Sequence, residues 1–264
     1  MKTCSHLDIS GNRVLTISLN RPQVKNALND QTLRELERAF RSVSPNQTRA
    51  VILAGRGGTF CAGADIEWMR RAGRLKGARA REDASLLVKA CRAVNECSVP
   101  VIARVEGAVY GGGLGLLAAA DVAVASEDAR LCFSECRLGI APAAISTVVL
   151  SKISAHARRY YLTAEVFGAA EARRIGLVHE VVTASGLDSK IQDIVRNILK
   201  NGPRAVSAAK TLLRNLQGKG FDESARIALA ALLRLRSSPE GQEGLSAFLE
   251  KRPPAWAAEL ETPA

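Results

Sequence analysis

The chain reads as an α/β layer fold followed by a helical C-terminal unit. Segments with strand-like and helix-like apolar patterns alternate over roughly the first 185 residues, and from Leu187 onward only helical spacing remains. The 264 residues suffice for one large domain, or for a core with a smaller appendage.

Each element rests on its own pattern. Val14 to Leu19 alternates as a half-buried strand does. Asn29-Asp30 then opens a helix on which Leu33, Leu36, Phe40 and Val43 recur at helical spacing. The run Ala50 to Ala54 is a buried strand ending in glycines, and Leu87, Ala90, Cys91 and Val94 mark the next helix. Pro100 sits where the strand Val101 to Val105 begins. A short apolar helix, Leu114 to Ala120, and the strand Val122 to Ala125 follow. The C-terminal helices are traced by Ile191, Ile194 and Ile198, by Val206, Leu212 and Leu213 behind Pro203, and by Ile227 to Leu235.

Composition narrows the function classes. With 47% hydrophobic and 24% charged residues the chain is neither disordered nor fibrous, and it shows no secretory leader and no uncharged apolar segment of membrane-spanning length. Its six cysteines do not form a dense disulfide framework, so a reducing cytoplasm is the expected location. No metal is expected: His6, His156 and His179 are isolated, and Cys132 and Cys136 read as packing residues. The formal charge of +11 suits nucleic acid, an anionic surface or a phosphate-bearing substrate. RNA binding is disfavoured, because only 4% of residues are aromatic and no RNP or KH motif occurs. The basic run Arg70 to Arg81 reads first as a solvated face.

The stretch GAVYGGGLGLLAAAD (Gly107 to Asp121) carries the chemistry. It fails both phosphate-loop patterns, since no Gly-Lys-Ser/Thr and no GxGxxG is present. What remains is a helix start whose first N–H groups lack partners and whose backbone carries no Cβ to block a ligand. A second such turn, Ala62-Gly63-Ala64-Asp65, precedes another helix. Two readings are open. The turns either pack helix tightly on strand, or converge their N–H groups on one carbonyl oxygen, where each donor would stabilise an enolate by about 3–4 kcal/mol. Glu135, among the apolar residues of LCFSECRLGIAP, is the candidate proton carrier, since burial raises a carboxyl pKa toward neutrality. The alternative is a surface pair with Arg137. Asp121 and Glu106 read as structural, Glu67 as facing solvent or the pocket mouth, and the pair Trp68-Met69 as core or tunnel wall.

The order of LNRPQVKNALN (19–29), FCAGADI (60–66), VEGAVYGGGLGLLAAADVAVAS (105–126), FSECRLGIAP (133–142), GLV (176–178) and FLEKRPPAW (248–256) resembles the enoyl-CoA hydratase/isomerase, or crotonase, superfamily along essentially the whole chain. The resemblance implies a ββα spiral core with an acyl-CoA site over residues 1–195. It also implies a C-terminal helical region, 196–264, that forms homotrimers or dimers of trimers. It implies an acyl-CoA thioester substrate, no cofactor beyond the CoA of that substrate, and no membrane or nucleic-acid partner. By position, the N–H groups of Ala64 and Gly112 match the family's oxyanion hole and Glu135 matches one of its two glutamates. Lys25, Ala27, Ala62, Gly63, Asp65, Ile66 and Gly111 match positions around the CoA and acyl group, and Phe248 and Lys251 match positions reaching the nucleotide end. The second glutamate's place holds Gly115, which leaves hydration and double-bond isomerisation both open. SECRLGIAPAAIS (134–146) is similar to the bacterial branch acting on 3-methylglutaconyl-CoA or isohexenylglutaconyl-CoA, whose distal carboxylate is expected to meet a base from Arg70 to Arg81.

Overall fold

The structure is a computed structural model and describes residues 6–258. Nine strands occur among these residues: β1 (Leu7–Ser10), β2 (Val14–Leu19), β3 (Ala50–Gly55), β4 (Val101–Val105), β5 (Ala108–Tyr110), β6 (Val122–Ser126), β7 (Arg130–Cys132), β8 (Phe167–Gly168) and β9 (Glu180–Val182). The helices are α1 (Asp30–Arg41), α2 (Ile66–Ala72), α3 (Gly77–Asn95), α4 (Gly112–Ala119), α5 (Ala143–Thr163) and α6 (Ala169–Arg174) in the first part. In the second part come α7 (Leu187–Leu199), α8 (Pro203–Leu216), α9 (Phe221–Arg236), α10 (Pro239–Leu249) and α11 (Ala255–Ala258).

The larger sheet has the order β1-β2-β3-β4-β6-β9, parallel except for the β1–β2 hairpin. Period-two side-chain alternation sends Val51, Leu53, Val101, Ala103, Ala123 and Ala125 into the main core with Leu33, Leu36 and Phe40 of α1 and Leu86 and Val94 of α3. The intervening Ile52, Ile102 and Val124 face the other way, where Leu187, Ile191 and Val195 of α7 cover them. Such two-sided burial is why these strands read as continuous apolar runs. The boundary expected at 195/196 lies inside α7, and α7 itself packs on the sheet.

Local signals act as the sequence suggests. Asn29 caps α1 by accepting the Thr32 N–H at 2.9 Å. Helix α4 begins at Gly112 rather than Leu114, because the glycines themselves form its first turn behind Gly111, whose φ of 46° and ψ of −117° favour a residue without a Cβ. Asp121 holds the C-terminal unit to the core: its Oδ2 accepts the Val101 N–H at 2.7 Å and the Lys210 ammonium of α8 at 2.7 Å. Glu106 pairs with Arg104. Both are structural, as expected.

The smaller sheet, β5-β7-β8, places the site. β5 and β7 run parallel with Tyr110 opposite Cys132, so the chain leaves them side by side as the Gly111 turn and as the short 3₁₀ turn Ser134–Leu138 that carries Glu135. On the other flank of β5, Cys61 N–H donates to Ala108 O and Tyr110 N–H donates to Cys61 O, which brings residues 61–65 alongside.

Candidate active site

Three segments therefore converge: 61–65, 110–113 and 133–138. Leu28 N–H donates to Gly63 O at 2.7 Å and Asp65 N–H donates to Leu28 O at 2.8 Å, a parallel bridge that turns Ala64's own N–H away from Leu28. Gly63, at φ 97°, packs its backbone against Tyr110, where an added Cβ would lie 3.1 Å from the carbonyl oxygen. Gly111 N–H is spent on Cys132 O at 3.0 Å. Gly112, as the first residue of α4, has no intrahelical acceptor for its N–H. Ala62, Ala64, Gly111, Gly112 and Glu135 line one cavity of about 500 Å³, and Ile66 lines its exposed edge.

Glu135 is no surface partner of Arg137. Burial pushes its carboxyl above the ordinary value, with a smaller opposing effect from a backbone N–H. Oε2 is buried and without a hydrogen-bond partner among the described residues. Oε1 lies 3.4 Å from the point a Cβ on Gly111 would occupy. A carboxyl whose charged form is disfavoured by burial holds a transferred proton more readily than an exposed one and can give it back.

The place of a second carboxylate is closed. A Cβ on Gly115 would stand 2.5 Å from Ile145 Cγ2 and 3.1 Å from Cys91 Sγ. Both neighbours belong to the packed core. The cavity wall is mostly apolar, with Trp68, Met69, Leu87, Leu138 and Ile140 among its residues; the Trp68-Met69 pair lines it, and Trp68 also packs against the core. Trp68 Nε1 donates to Asp83 Oδ1 at 3.0 Å.

Several expected site residues, Gly63 among them, do not line this cavity. Asp65 does not line the cavity. Its Oδ1 caps α2 through the Glu67 and Trp68 amides, and its Oδ2 pairs with Arg21 at 2.9 Å. Burial pushes its pKa up, but Arg21 and those amides outweigh that and leave it below the carboxylate norm. Lys25 and Ala27 flank the cavity without lining it: Lys25 O accepts the Ala62 N–H at 2.9 Å, and Ala27 O accepts from Arg21. Phe248 is 82% exposed and, like Lys251, lines no part of this chain's cavity. A single chain does not bring them to the site.

The expectation for Arg70 to Arg81 also requires correction. The Arg and Lys side chains of that segment are exposed on the end of α2, the following loop and the start of α3, and Ala72 is the segment's contribution to the cavity wall. The cation in the wall is Arg137, two residues beyond Glu135 on the same turn. From sequence Arg137 entered only as a possible surface partner of Glu135 and Ser134 not at all, although both lie so near Glu135 that a one-turn helix must present them together. Cys132 is buried as expected, whereas Cys136 is exposed. Among the described residues no group of three or more metal-ligating side chains occurs, and no helix is long and apolar enough to cross a membrane. A wider groove of about 1190 Å³ lies beside α8 and α9 and is lined by none of the candidate residues.

The family model described as "Enoyl-CoA hydratase/isomerase" matches residues 10–259. The chain belongs to this enzyme family. Among curated relatives of this enoyl-CoA hydratase/isomerase, a crotonyl-CoA hydratase of Syntrophomonas wolfei is 34% identical over 91% of the chain and 93% of its own length. The mouse mitochondrial methylglutaconyl-CoA hydratase is 29% identical, with 96% and 82% covered. Among solved structures, Pseudomonas aeruginosa AtuE superposes with a TM-score of 0.92 at 34% identity over 96% of this chain and all of that one. The α/β crotonase fold, the acyl-CoA substrate class and the enoyl-CoA hydratase assignment rest on these matches together with the architecture described above.

Proposed function

We propose that this enoyl-CoA hydratase adds water across the 2,3 double bond of a branched glutaconyl-CoA of the 3-methylglutaconyl type. The observation carrying the reading is that Glu135, buried with an unpartnered oxygen, shares one cavity with Ala64 and Gly112, whose amides are free of intrachain acceptors in their own elements. The thioester oxygen accepts from the Ala64 and Gly112 N–H groups, and charge reaching that oxygen during reaction is stabilised there. Water attacks C3 and gives its proton to the Glu135 carboxylate. The π electrons move to the C1 oxygen as an enolate, which collapses and takes the proton from Glu135 at C2. One carboxyl suffices, since it gives back the proton it received.

The finer substrate assignment is supported by Arg137, an exposed cation in an apolar wall with no hydrogen bond or ion pair to any described residue. A carboxylate on the far end of the acyl group supplies its counter-charge. The name of the mouse relative points the same way, and that of the Syntrophomonas relative points to a short unbranched ester. The filled slot beside Gly115 favours one rival, an enoyl-CoA isomerase with Glu135 as shuttle. Mass analysis of products from crotonyl-CoA and 3-methylglutaconyl-CoA separates them. A gain of one water with preference for the second ester supports the proposal, and a moved double bond without water supports the isomerase.

We further propose that the chain works in the cytoplasm as a homotrimer or dimer of trimers, without metal or added cofactor and without nucleic acid. Leu213, Phe221, Leu229 and Leu232 leave apolar surface exposed on α8 and α9, which support association. A second copy is also the proposed source of the Phe248 and Lys251 contacts. Sedimentation at the mass of three or six chains, and activity unchanged by EDTA, are the expected results.

A further inference from the structure

Hydration by one carboxyl leaves the attacking water held at a single point, and the slot that would carry a second carboxylate is filled by Ile145 and Cys91. We propose that the Ser134 hydroxyl is the second holder of that water, a catalytic residue that touches the nucleophile; this rests on the hydration reading above. Ser134 Oγ lies 3.5 Å from the point a Cβ on Gly111 would occupy, and Glu135 Oε1 lies 3.4 Å from the same point. The missing side chain of Gly111 thus opens one small polar space bounded by both oxygens. Ser134 lines the cavity, is not fully buried, and makes no hydrogen bond to another described residue.

The remaining polar groups are less suited. Asp83 is a second carboxylate of the wall, but its Oδ1 is taken by Trp68 Nε1 and it is not among the atoms nearest the Gly111 opening, and Arg137 donates only and cannot accept a proton from water. The hydroxyl of Tyr161, close enough to Glu135 to feel its charge, is paired with Ser146 Oγ at 3.2 Å. A serine hydroxyl can accept one water proton while the Glu135 carboxylate accepts the other. Two anchors instead of one fix the direction of the water's lone pair toward C3. Ser134 gains and loses no proton in the step; the proton that leaves water goes to Glu135 and then to C2.

The test compares wild type with Ser134→Ala in two assays. Hydration of the preferred enoyl-CoA ester should lose kcat on the order of 10²-fold, the cost of a misplaced reactant, with KM little changed. Exchange of the C2 proton of butyryl-CoA in D2O needs Glu135 and the oxyanion amides but no attacking water, and it should remain within about twofold of wild type. Unchanged hydration in the variant overturns the proposal while leaving the hydration reading intact. Hydration and exchange falling together overturns it too, since Ser134 would then be supporting Glu135 or the fold. A wild type that exchanges the C2 proton yet hydrates no ester of the panel removes the hydration reading, and this proposal with it.

Discussion

Replacing Gly115 by alanine tests whether the second-carboxylate slot is closed by packing. The residue lies inside α4, where alanine is favoured over glycine by about 1 kcal/mol. Against this, the new Cβ would meet Ile145 Cγ2 at 2.5 Å, about 1 Å inside the ordinary carbon–carbon contact distance. Overpacking of this kind costs about 1–3 kcal/mol, so Gly115→Ala should be destabilising by up to about 2 kcal/mol. Ile145→Ala alone should cost about 2–5 kcal/mol through its cavity. In the double variant Cγ2 is gone, only the contacts to Ile145 Cβ and Cys91 Sγ at 3.1 Å remain, and most of the overpacking cost disappears. The cycle should therefore show about 1–2 kcal/mol of favourable coupling between the substitutions, read from urea midpoints at one protein concentration. Stabilisation by Gly115→Ala in the wild-type background, or additive effects, would refute the closed slot. The functional corollary is that Gly115→Glu does not create a two-glutamate enzyme.

Three further outcomes follow from individual side chains. Glu135→Gln should lose hydration on the order of 10²–10⁴-fold while still binding acyl-CoA. Its stability should separate from wild type with pH: a buried acid with a raised folded pKa holds its proton longer in the folded state, so wild type loses stability as pH rises from the unfolded value of about 4.5 through the folded one. Chemical unfolding at pH 4 and pH 8 should accordingly show the glutamine variant gaining on wild type only at the higher pH. Arg137→Gln should lower kcat/KM for 3-methylglutaconyl-CoA about tenfold and leave crotonyl-CoA turnover near wild type in a spectrophotometric assay. Asp121→Ala leaves the Lys210 ammonium, whose side chain is 8% exposed, without its counter-charge and with the Val99 carbonyl as remaining acceptor, and should cost about 3 kcal/mol in urea unfolding without moving KM.

Much of this was legible in sequence where a pattern is long or chemically loud. The continuous run of β3, the Asn29 cap and the apolar spacing of α1 and α3 are set by local preference and two-sided burial. Glu135 stood out because a lone acid in an apolar stretch must either be buried or be paired at the surface. The smaller sheet was not legible: β5 and β7 have three residues each and β8 has two, too short for any periodicity, yet they bring the glycine turn beside Glu135. Asp65 lay in the right motif, but its partner Arg21 is 44 positions away, and that pairing turns its carboxylate from the cavity to the cap of α2. The basic run from Arg70 drew attention by density, whereas the cavity selects a cation by position, and one-turn geometry gives that position to Arg137. Phe248 lies on an outer face of α10 that a single chain leaves uncovered and Lys251 just beyond that helix's end, a relation no intrachain pattern encodes.

The most direct test is a crystal structure of Glu135→Gln with its enoyl-CoA ester bound. The thioester oxygen should lie about 2.7–3.1 Å from both the Ala64 and Gly112 amide nitrogens, with the residue at 135 beside C2 and C3. An ester whose carbonyl contacts neither amide, or whose double bond lies out of reach of residue 135, would contradict the account.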